Sequence, residues 1–457
     1  MITKTLNNNI GATQKVKKRT KKSKRKINKI KLEFSDNSLT NYSGIIPISD
    51  FLFSKLNFIE EFEHNLNLAN GKNIVFRDYQ LLSSIIFGYH AGFRRLAQFE
   101  EFTKDKVMQK VLNLNKHIDE NTFGNRLKKF DFKRAIQLSF LLNKFSKKVH
   151  NKIKFNANKM EIIDLDSTVK GVYGNQEGAS KGYNHKKRGQ KSYHPLLAFQ
   201  VSSKECVHSW FRPGDTYTGN GIAEFIKECH EKLSHQGNIF LYRADSGFFS
   251  ESFIGEVEAK SCKYLVKVKL KGLESLLTKE KWTNIPGLPT TEYCEFYHQC
   301  SNWKKSRKFV GIRILEEIIV DGVLFPQKVY KYLCFCSNLE EAPLEIYHQY
   351  KDRGECENWI ESVKNQIGAG TALTNSFWAN DVLWQLGVFA YNLTIWIRLL
   401  CCKKSWRQEP NTFRHWFIRI AGRMIKHAGE LTLKLQKHYY YEKDWMTIYE
   451  KISCLQF

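Results

Sequence analysis

Near Ile153 the hydrophobic pattern of this 457-residue chain changes period, and the change dictates a mixed architecture. From about Tyr42 to His150 apolar residues recur three and four apart, as in Phe51-Leu52-Phe53-Leu56-Phe58, Leu81-Leu82-Ile85-Ile86 and Phe130-Phe132-Ala135-Leu138, which predicts short helices joined by polar turns. Beyond Ile153 the apolar runs are short or alternating: Met160 to Leu165, His194 to Val201, Cys206 to Phe211, Gly237 to Arg243 and Cys262 to Val268. Helical patterns over Gly221 to Leu233 and Glu251 to Lys260 separate the later runs. Three strands, helix, strand, helix, strand predict an α/β sheet that begins with a meander. From about Leu270 to Val329, Pro286, Pro289 and Pro326 punctuate β-type runs, so a β-rich insertion is expected there. The α/β pattern resumes with Tyr330 to Cys336 and one long helix over roughly Leu344 to Gln366. The tail from Asp381 reads as helical and rich in Trp and Phe.

Charge narrows the partner. Lys and Arg outnumber Asp and Glu by 72 to 46, a net charge of +26, so nucleic acid or another anionic surface is the first partner expected. Residues 1–32 hold twelve Lys or Arg and no acid. Charge this dense cannot pack, so the arm is expected to be disordered alone, either a phosphate-binding arm or a solvated tail. The 11 cysteines include no CxxC pair, which excludes a paired-cysteine zinc framework and argues against a secreted disulfide scaffold. The most hydrophobic run, Val382 to Leu400, is interrupted by Gln385, Asn392 and Arg398, so no membrane span and a cytoplasmic location are expected. In the helical region, Asn121 or Thr122 can cap a helix carrying Arg126, Lys128 and Lys129, which reads either as a basic recognition helix or as a surface helix of an all-α domain.

Three acidic stretches lie on or after core elements. Asp166 ends the apolar run Glu161 to Leu165, and Asp164, two residues earlier, shares its side of the strand. Asp245 follows the buried run Ile239 to Tyr242, at the C-terminal end where α/β sheets place ligands. In Tyr350-Lys351-Asp352-Arg353-Gly354-Glu355-Cys356-Glu357, continued to Lys364, the residues Tyr350, Arg353, Glu357 and Lys364 fall within an arc of about 60° on a helix. That face is either a site of converging groups or an ordinary exposed face with pairs such as Arg353 and Glu357. Carboxylates gathered from two strand ends and a helix repel one another, and oxygen-only ligation suits Mg²⁺ or Mn²⁺, two of which can drive an in-line phosphoryl transfer. Asp164 is an alternative to Asp166, and Asp215 and Glu361 are further carboxylates near by, Asp215 in a Pro-Gly-Asp turn. Between the first two acids, Gly174, Gly178, Gly182 and Gly189 accompany Lys181, Lys186, Lys187, Arg188 and Lys191, a basic loop able to approach a DNA backbone or to remain a mobile surface loop.

These residues resemble a known family. Asp166-Ser167-Thr168, Tyr173 to Ala179, Gly182-Tyr183-Asn184, Tyr193 to Ala198, Arg243-Ala244-Asp245-Ser246-Gly247-Phe248-Phe249 and the spacing Tyr-x2-Arg-x3-Glu-x6-Lys from Tyr350 to Lys364 are similar to motifs of the DDE transposases of bacterial insertion sequences, specifically the 1380 family. Trp303 to Arg307, Leu324-Phe325-Pro326, Ala390 to Leu393 and Ile420 to Arg423 extend the resemblance over about residues 45 to 440; Ser306 departs from the family's Pro in the Trp-x-x-Pro-Arg stretch. The resemblance implies an α/β, ribonuclease-H-like catalytic core interrupted by a β-rich insertion, with Asp166, Asp245 and Glu357 binding two Mg²⁺ ions per site, Mn²⁺ substituting. It implies that Tyr350, Arg353 and Lys364 contact the transposon-end backbone and that Trp303 can stack on an unpaired base. It further implies double-stranded DNA as partner, both inverted-repeat ends and target, and a dimer in the synaptic complex. The expected organisation is a basic arm (1–32), a helical DNA-binding region (33–155), a catalytic core (156–270 and 330–400), the insertion (271–329) and a helical C-terminal region (401–457). A metal-dependent nuclease and a non-enzymatic DNA-binding descendant of a transposase are the rival readings.

Overall fold

The most hydrophobic run of the chain, Val382 to Leu400, is the spine of its core. In the computed structural model it lies within the helix Phe377–Cys401, and the three polar residues that interrupt it are its sockets. Gln385 donates to the Ala135 carbonyl at 3.3 Å, Asn392 accepts from Cys206 N at 3.1 Å and donates to its carbonyl at 2.8 Å, and Arg398 donates to the Ser203 carbonyl at 2.7 Å. Among the described residues no helix is long and apolar enough to cross a membrane. The structure describes residues 38–66, 68, 74–153, 160–182, 184, 187–233, 239–319, 325–403 and 409–457, so the basic arm and Lys186 lie outside it.

The helical part contains α1 (Asp78–Ala91), α2 (Glu120–Leu127) and α3 (Phe132–Ile153). All of α1 is buried, and its Ser83 and Ser84 hydroxyls are satisfied by the carbonyls of Tyr79 and Gln80. Helix α3 is one-sided: Ala135, Leu138, Leu141, Phe145 and Val149 face the core at helical spacing.

The strands are β1 (Glu161–Ser167), β2 (Leu196–Gln200), β3 (Cys206–Trp210), β4 (Ile239–Ala244), β5 (Lys263–Lys267), β6 (Thr283–Ile285), β7 (Leu288–His298), β8 (Arg307–Ile318) and β9 (Gln327–Ser337). Helices α4 (Ile222–Leu233) and α5 (Glu251–Ala259) alternate with β3, β4 and β5. All nine strands form one mixed sheet in the order β6-β7-β8-β9-β5-β4-β1-β2-β3. β1 is antiparallel to β2 and parallel to β4, which is parallel to β5. Side-chain alternation divides the core: Ile163, Leu165 and Ala244 pack with Phe225, Ile226 and Phe253 of α4 and α5, whereas Leu197 and Phe199 pack with Trp359 and Trp384. The insertion strands extend this same sheet, because β9 pairs with β8 along its length and with β5 at its end.

Two expectations are corrected. The long helix is segmented into α6 (Pro343–Asp352), α7 (Glu355–Glu361) and a π-turn, Ser362–Ile367, before α8 (Phe377–Cys401). Between α6 and α7 the amides of Arg353 and Gly354 bond three residues back, to Tyr350 and Lys351, so the coil tightens there. Glycine, a poor helix former, stands at the break. The C-terminal region is not wholly helical: β10 (Gly422–His427) and β11 (Glu430–Leu435) form a hairpin before α9 (Glu442–Ser453), with the short strand Leu39–Thr40 beside β10. Its turn places Ala428 at φ 50° and Gly429 at φ 87°, the left-handed pair that a two-residue hairpin needs.

Candidate active site

Strand alternation sends Asp164 and Asp166 to the same side of β1, but the fold uses them differently. Asp164 is fully buried and takes both arms of the Arg243 guanidinium, at 2.7 and 2.8 Å, while the third nitrogen of Arg243 donates to the Gln349 carbonyl at 2.7 Å. That carboxylate is a strut joining β1, β4 and α6, which corrects its reading as an alternative ligand. Asp166, 8% exposed, accepts from Ser167 N at 2.7 Å and meets the Arg353 guanidinium at 3.0 Å. Burial pushes its carboxyl up to about 6; Arg353 opposes this, and the neighbouring Asp245 and Glu357 carboxylates add to it.

Asp245 follows β4 directly, and Leu165 is register-paired with Ala244, so the first two acids leave adjacent parallel strands. The Asp245 carboxylate accepts from Gly247 N at 2.9 Å and so caps the short turn Ser246–Phe248. A side chain at Gly247 would stand 3.1 Å from that carboxylate and 3.2 Å from Thr218, which is why glycine fits. Glu357 lies exposed in the first turn of α7, where a carboxylate suits the helix dipole.

Arg353 and Lys364 strap this helical segment to the exit of β1. Arg353, 6% exposed, also donates to the Leu165 carbonyl at 3.1 Å, and Lys364 donates to Thr168 Oγ1 at 2.8 Å and to the Val169 carbonyl at 2.6 Å. Burial would lower the Arg353 pKa, but Asp166 and Asp245 more than offset it and the guanidinium is held charged. The Tyr350 hydroxyl is pushed up to about 12, first by burial, against Arg353 and with Asp245, Asp166 and Glu357. Its ring packs on Phe335 at 4.7 Å. The structure thus brings Asp166, Asp245, Glu357, Tyr350 and Arg353 into one electrostatic neighbourhood, with Lys364 tied to the strand exit beside it.

Other sequence expectations are placed elsewhere. Arg126 is paired with Asp78 inside the helical part and donates to the Phe76 carbonyl at 3.2 Å, so it braces α1 against α2 and does not face a groove. Trp303 is 8% exposed, with Phe249 at 5.0 Å and Arg307 over its ring at 4.8 Å; buried there it has no face for an unpaired base. Lys181 and Lys191 lie on the short strands Ser180–Lys181 and Lys191–Tyr193 of a small sheet, with Lys187 and Arg188 exposed in the connecting turn. Lys187 donates to the Tyr173 hydroxyl at 3.1 Å and Lys191 to Asn175 at 2.7 Å. Asp215 and Glu361 are exposed, and Glu361 accepts from the Gln366 amide at 2.8 Å.

Two arginines had no assigned role in the sequence reading. Arg243 is the strut above. Arg212, 5% exposed, donates to the His194 carbonyl at 3.1 Å and to the Thr218 and Asn220 carbonyls at 3.3 and 3.2 Å. It thereby holds Thr218 within 3.2 Å of Ser167, next to the first acid. A cation directly after the apolar run of β3 was the available signal. Among the described residues no three His, Cys, Asp or Glu side chains stand close enough together to hold a metal ion. The chemistry of the donor set nevertheless fits a hard divalent cation: Asp166, Asp245 and Glu357 offer only oxygen, and their mutual repulsion is opposed at Asp166 by one guanidinium.

Comparison with known proteins gives three findings. No curated protein sequence matches the chain. Among solved structures, a piggyBac transposase synaptic complex with hairpin DNA is similar at 13% identity and a TM-score of 0.44, over 84% of this chain and 82% of that one. A Mos1 transposase paired-end complex with the left transposon end is similar at 9% identity and a TM-score of 0.18, over 46% and 65%. The sequence profile described as transposase DDE domain group 1 matches residues 22–457, nearly the whole length, and the chain belongs to that family of transposases.

Proposed function

We propose that this transposase binds the inverted-repeat ends of its own insertion sequence, cleaves them and joins the 3′ ends to target DNA. The observation that carries the reading is the placement of the acids: Asp166 and Asp245 leave neighbouring parallel strands, and Glu357 arrives on a helix strapped to the same strand exit. The strand order β3-β2-β1-β4-β5, with β1 antiparallel to β2 and parallel to β4, supports a ribonuclease-H-like core that spans 156–270 and 330–400 around the insertion 271–329. The helical region 33–155 and the C-terminal region 401–457 flank that core.

Transposases of this family generally use divalent metal ions. Asp166, Asp245 and Glu357 would hold two Mg²⁺, or Mn²⁺, which when bound supply activation of the attacking oxygen and charge stabilisation of the leaving one. Every other part of the work falls to the chain. Arg353 keeps the Asp166 carboxylate aimed by holding one of its oxygens, and Gly247 N holds Asp245. Tyr350 and Arg353 border the place where a scissile phosphate would lie, and a guanidinium suits a two-pronged phosphate contact. Lys364, bonded to Thr168 and the Val169 carbonyl, ties the helical segment to the strand exit instead of contacting the backbone. Lys181, Lys186, Lys187, Arg188 and Lys191 extend the positive border along the backbone. The nucleophile is water for cleavage and a 3′-hydroxyl for joining. Two ends brought together call for a dimer on DNA, and a protein of this activity works in the cytoplasm on the nucleoid.

The test is cleavage and strand transfer by the full chain with Mg²⁺ and DNA carrying the element's terminal repeats, with Glu357→Gln beside it. Wild type is expected to cut and join at the ends, and the variant to bind without doing either. Cutting of unrelated supercoiled DNA without joining would make the protein a nuclease. End binding by both proteins with no cutting by either would make it a DNA-binding protein only.

A further inference from the structure

The C-terminal hairpin is outside the acid site, and no role above uses it. Its six cross-strand pairs sort its side chains onto two faces. Gly422/Leu435, Met424/Leu433 and Lys426/Leu431 look one way, and Arg423/Lys434, Ile425/Thr432 and His427/Glu430 look the other. The first face is the anchored one: Met424, Leu433 and Leu435 pack on the core, and Gly422 lies so close to the chain that a Cβ there would stand 2.4 Å from Ser43 Oγ. On the second face Arg423, His427, Glu430, Thr432 and Lys434 are exposed. The tip outruns the core, since Lys426, Ala428 and Gly429 are exposed as well and Leu431 is 51% exposed even on the anchored face.

We propose that this outer face is a DNA-reading ribbon that enters the major groove of transposon-end DNA; the inference rests on the end-binding reading above. A two-stranded ribbon is one of the two protein shapes that a major groove, about 12 Å wide, admits. The charge is complementary to DNA: the face carries Arg423 and Lys434 against the single acid Glu430, with Lys426 at the tip and Lys437 just after the second strand adding to the positive charge of the hairpin. The exposed donors are the types that read base edges, Lys and Arg toward guanine and Thr toward either a base edge or the thymine methyl. A protein partner would look for a broad apolar face, and this one offers two separate apolar side chains among polar ones, the half-buried Ile425 and, paired with Arg423 on the adjoining short strand, Leu39.

The ribbon is also coupled to the catalytic helix. The π-turn Arg414–Ile418 precedes it, and Arg414 donates to the Gln366 carbonyl, in the turn that follows α7, and to the His90 carbonyl at 2.7 Å and the Tyr89 carbonyl at 3.2 Å in α1. Behind the hairpin, Tyr439 donates to the Trp416 carbonyl at 2.7 Å and Trp445 to that of Phe417 at 3.0 Å. DNA gripped by the ribbon is therefore held at a set offset from Glu357. That offset would decide which phosphodiester is presented for cutting.

The experiment uses the full chain and its Thr432→Ala/Lys434→Ala variant, with fluorescence anisotropy on a terminal-repeat duplex and on an unrelated duplex over a range of salt. Both positions are exposed, so equal melting temperatures are expected; Lys434→Arg on the Thr432 background is the rescue control. Loss of base contacts is expected to weaken terminal-repeat binding by about tenfold or more while unrelated DNA changes less than about twofold. In the wild type alone, 7-deazaguanine at the contacted position should reproduce the loss. Unchanged preference in the variant overturns the proposal. Equal weakening on both duplexes, with the salt slope falling by about 0.9 per lost cation, overturns the groove reading and leaves a phosphate contact. Intact DNA binding with a smaller assembled species makes the face a protein contact. If wild type itself shows no preference for the repeat, the end-binding reading fails along with the ribbon, an outcome the variant comparison cannot mimic.

Discussion

Replacing Arg243 by methionine tests whether Asp164 is a strut. The guanidinium supplies two donors to a fully buried carboxylate and one to the Gln349 carbonyl, and it is itself 3% exposed. The methionine side chain would keep most of the volume and leave the Asp164 charge in the core without either donor. Removing one partner of a buried pair costs about 3–5 kcal/mol, because the surviving charge stays desolvated. With an unfolding entropy of about 2.1 cal/mol/K per residue, the unit Ser38–Phe457 loses about 0.9 kcal/mol of stability per degree near its midpoint. The expected fall in Tm is therefore about 3–6 °C. The double replacement Asp164→Leu/Arg243→Met, which removes both charges, should recover most of it, so the two single costs should exceed the double by about 2 kcal/mol or more. Calorimetric melts of the four proteins measure this directly. A single-variant shift under about 1 °C, the size expected of a solvated pair, would refute the strut.

Arg126→Ala should lower stability by about 3 kcal/mol by stranding Asp78, whose other oxygen accepts from Leu68 N at 2.6 Å, yet leave the salt slope of DNA binding unchanged in the same anisotropy assay. Trp303→Ala should cost about 3–5 kcal/mol through the cavity it leaves, whereas Trp303→Phe should retain end cleavage if the ring is a packing element. Burial depresses His90 to about 4 and, with Lys232 beside it, His208 to about 3, both below the unfolded value near 6.5. Their contribution to stability is present above pH about 6.5 and is lost as pH falls through 6.5 toward 4 and 3, at about 1.4 kcal/mol per pH unit for each group. The raised carboxyls of Asp166 and Asp381 act in the opposite sense over this range, so the check is a difference: in urea unfolding from pH 7.5 to 4.5, the pH slope of wild type should exceed that of His90→Asn by one proton's share.

The acids of the first two motifs were legible because each ended an apolar strand run, and strand ends are set by local pattern: Asp166 in β1 and Asp245 after β4 fall where the alternation places them. The order of strands and helices followed from the same periodicity. What the pattern could not carry was partnership across long separations. Arg126 finds Asp78 forty-eight residues away, and nothing local separates that cation from one facing a groove. Trp303 is buried by Phe249 and Phe309 on other elements, so its role as a stacking face depended on tertiary contacts absent from its own stretch. The C-terminal hairpin had a readable signal, since Met424, Leu433 and Leu435 alternate with Arg423, Thr432 and Lys434 around Ala428-Gly429, but Trp and Phe on either side gave that region a helical appearance.

The third motif's spacing builds a clamp. Arg353 reaches the Leu165 carbonyl and Asp166, and Lys364, 364 − 353 = 11 residues on, reaches Thr168 and the Val169 carbonyl. Eleven helical residues rise about 16 Å, while the four steps from Leu165 to Val169 span about 13 Å of extended chain, so the two cations seize the strand exit at its two ends and Glu357 is suspended between them. Lys364→Met opens the far end of the clamp. Two lost bonds to a charged donor, at about 1.5–3 kcal/mol each, cost about 3–6 kcal/mol, a Tm shift of about 3–7 °C, while Glu357 loses its fixed height over the strand end. End cleavage should fall by about tenfold or more with terminal-repeat affinity and salt slope retained, because the amine is occupied by Thr168 and Val169 and not by DNA. A drop of about 0.9 in the salt slope would instead mean that Lys364 leaves those oxygens for a phosphate, and the clamp would be wrong.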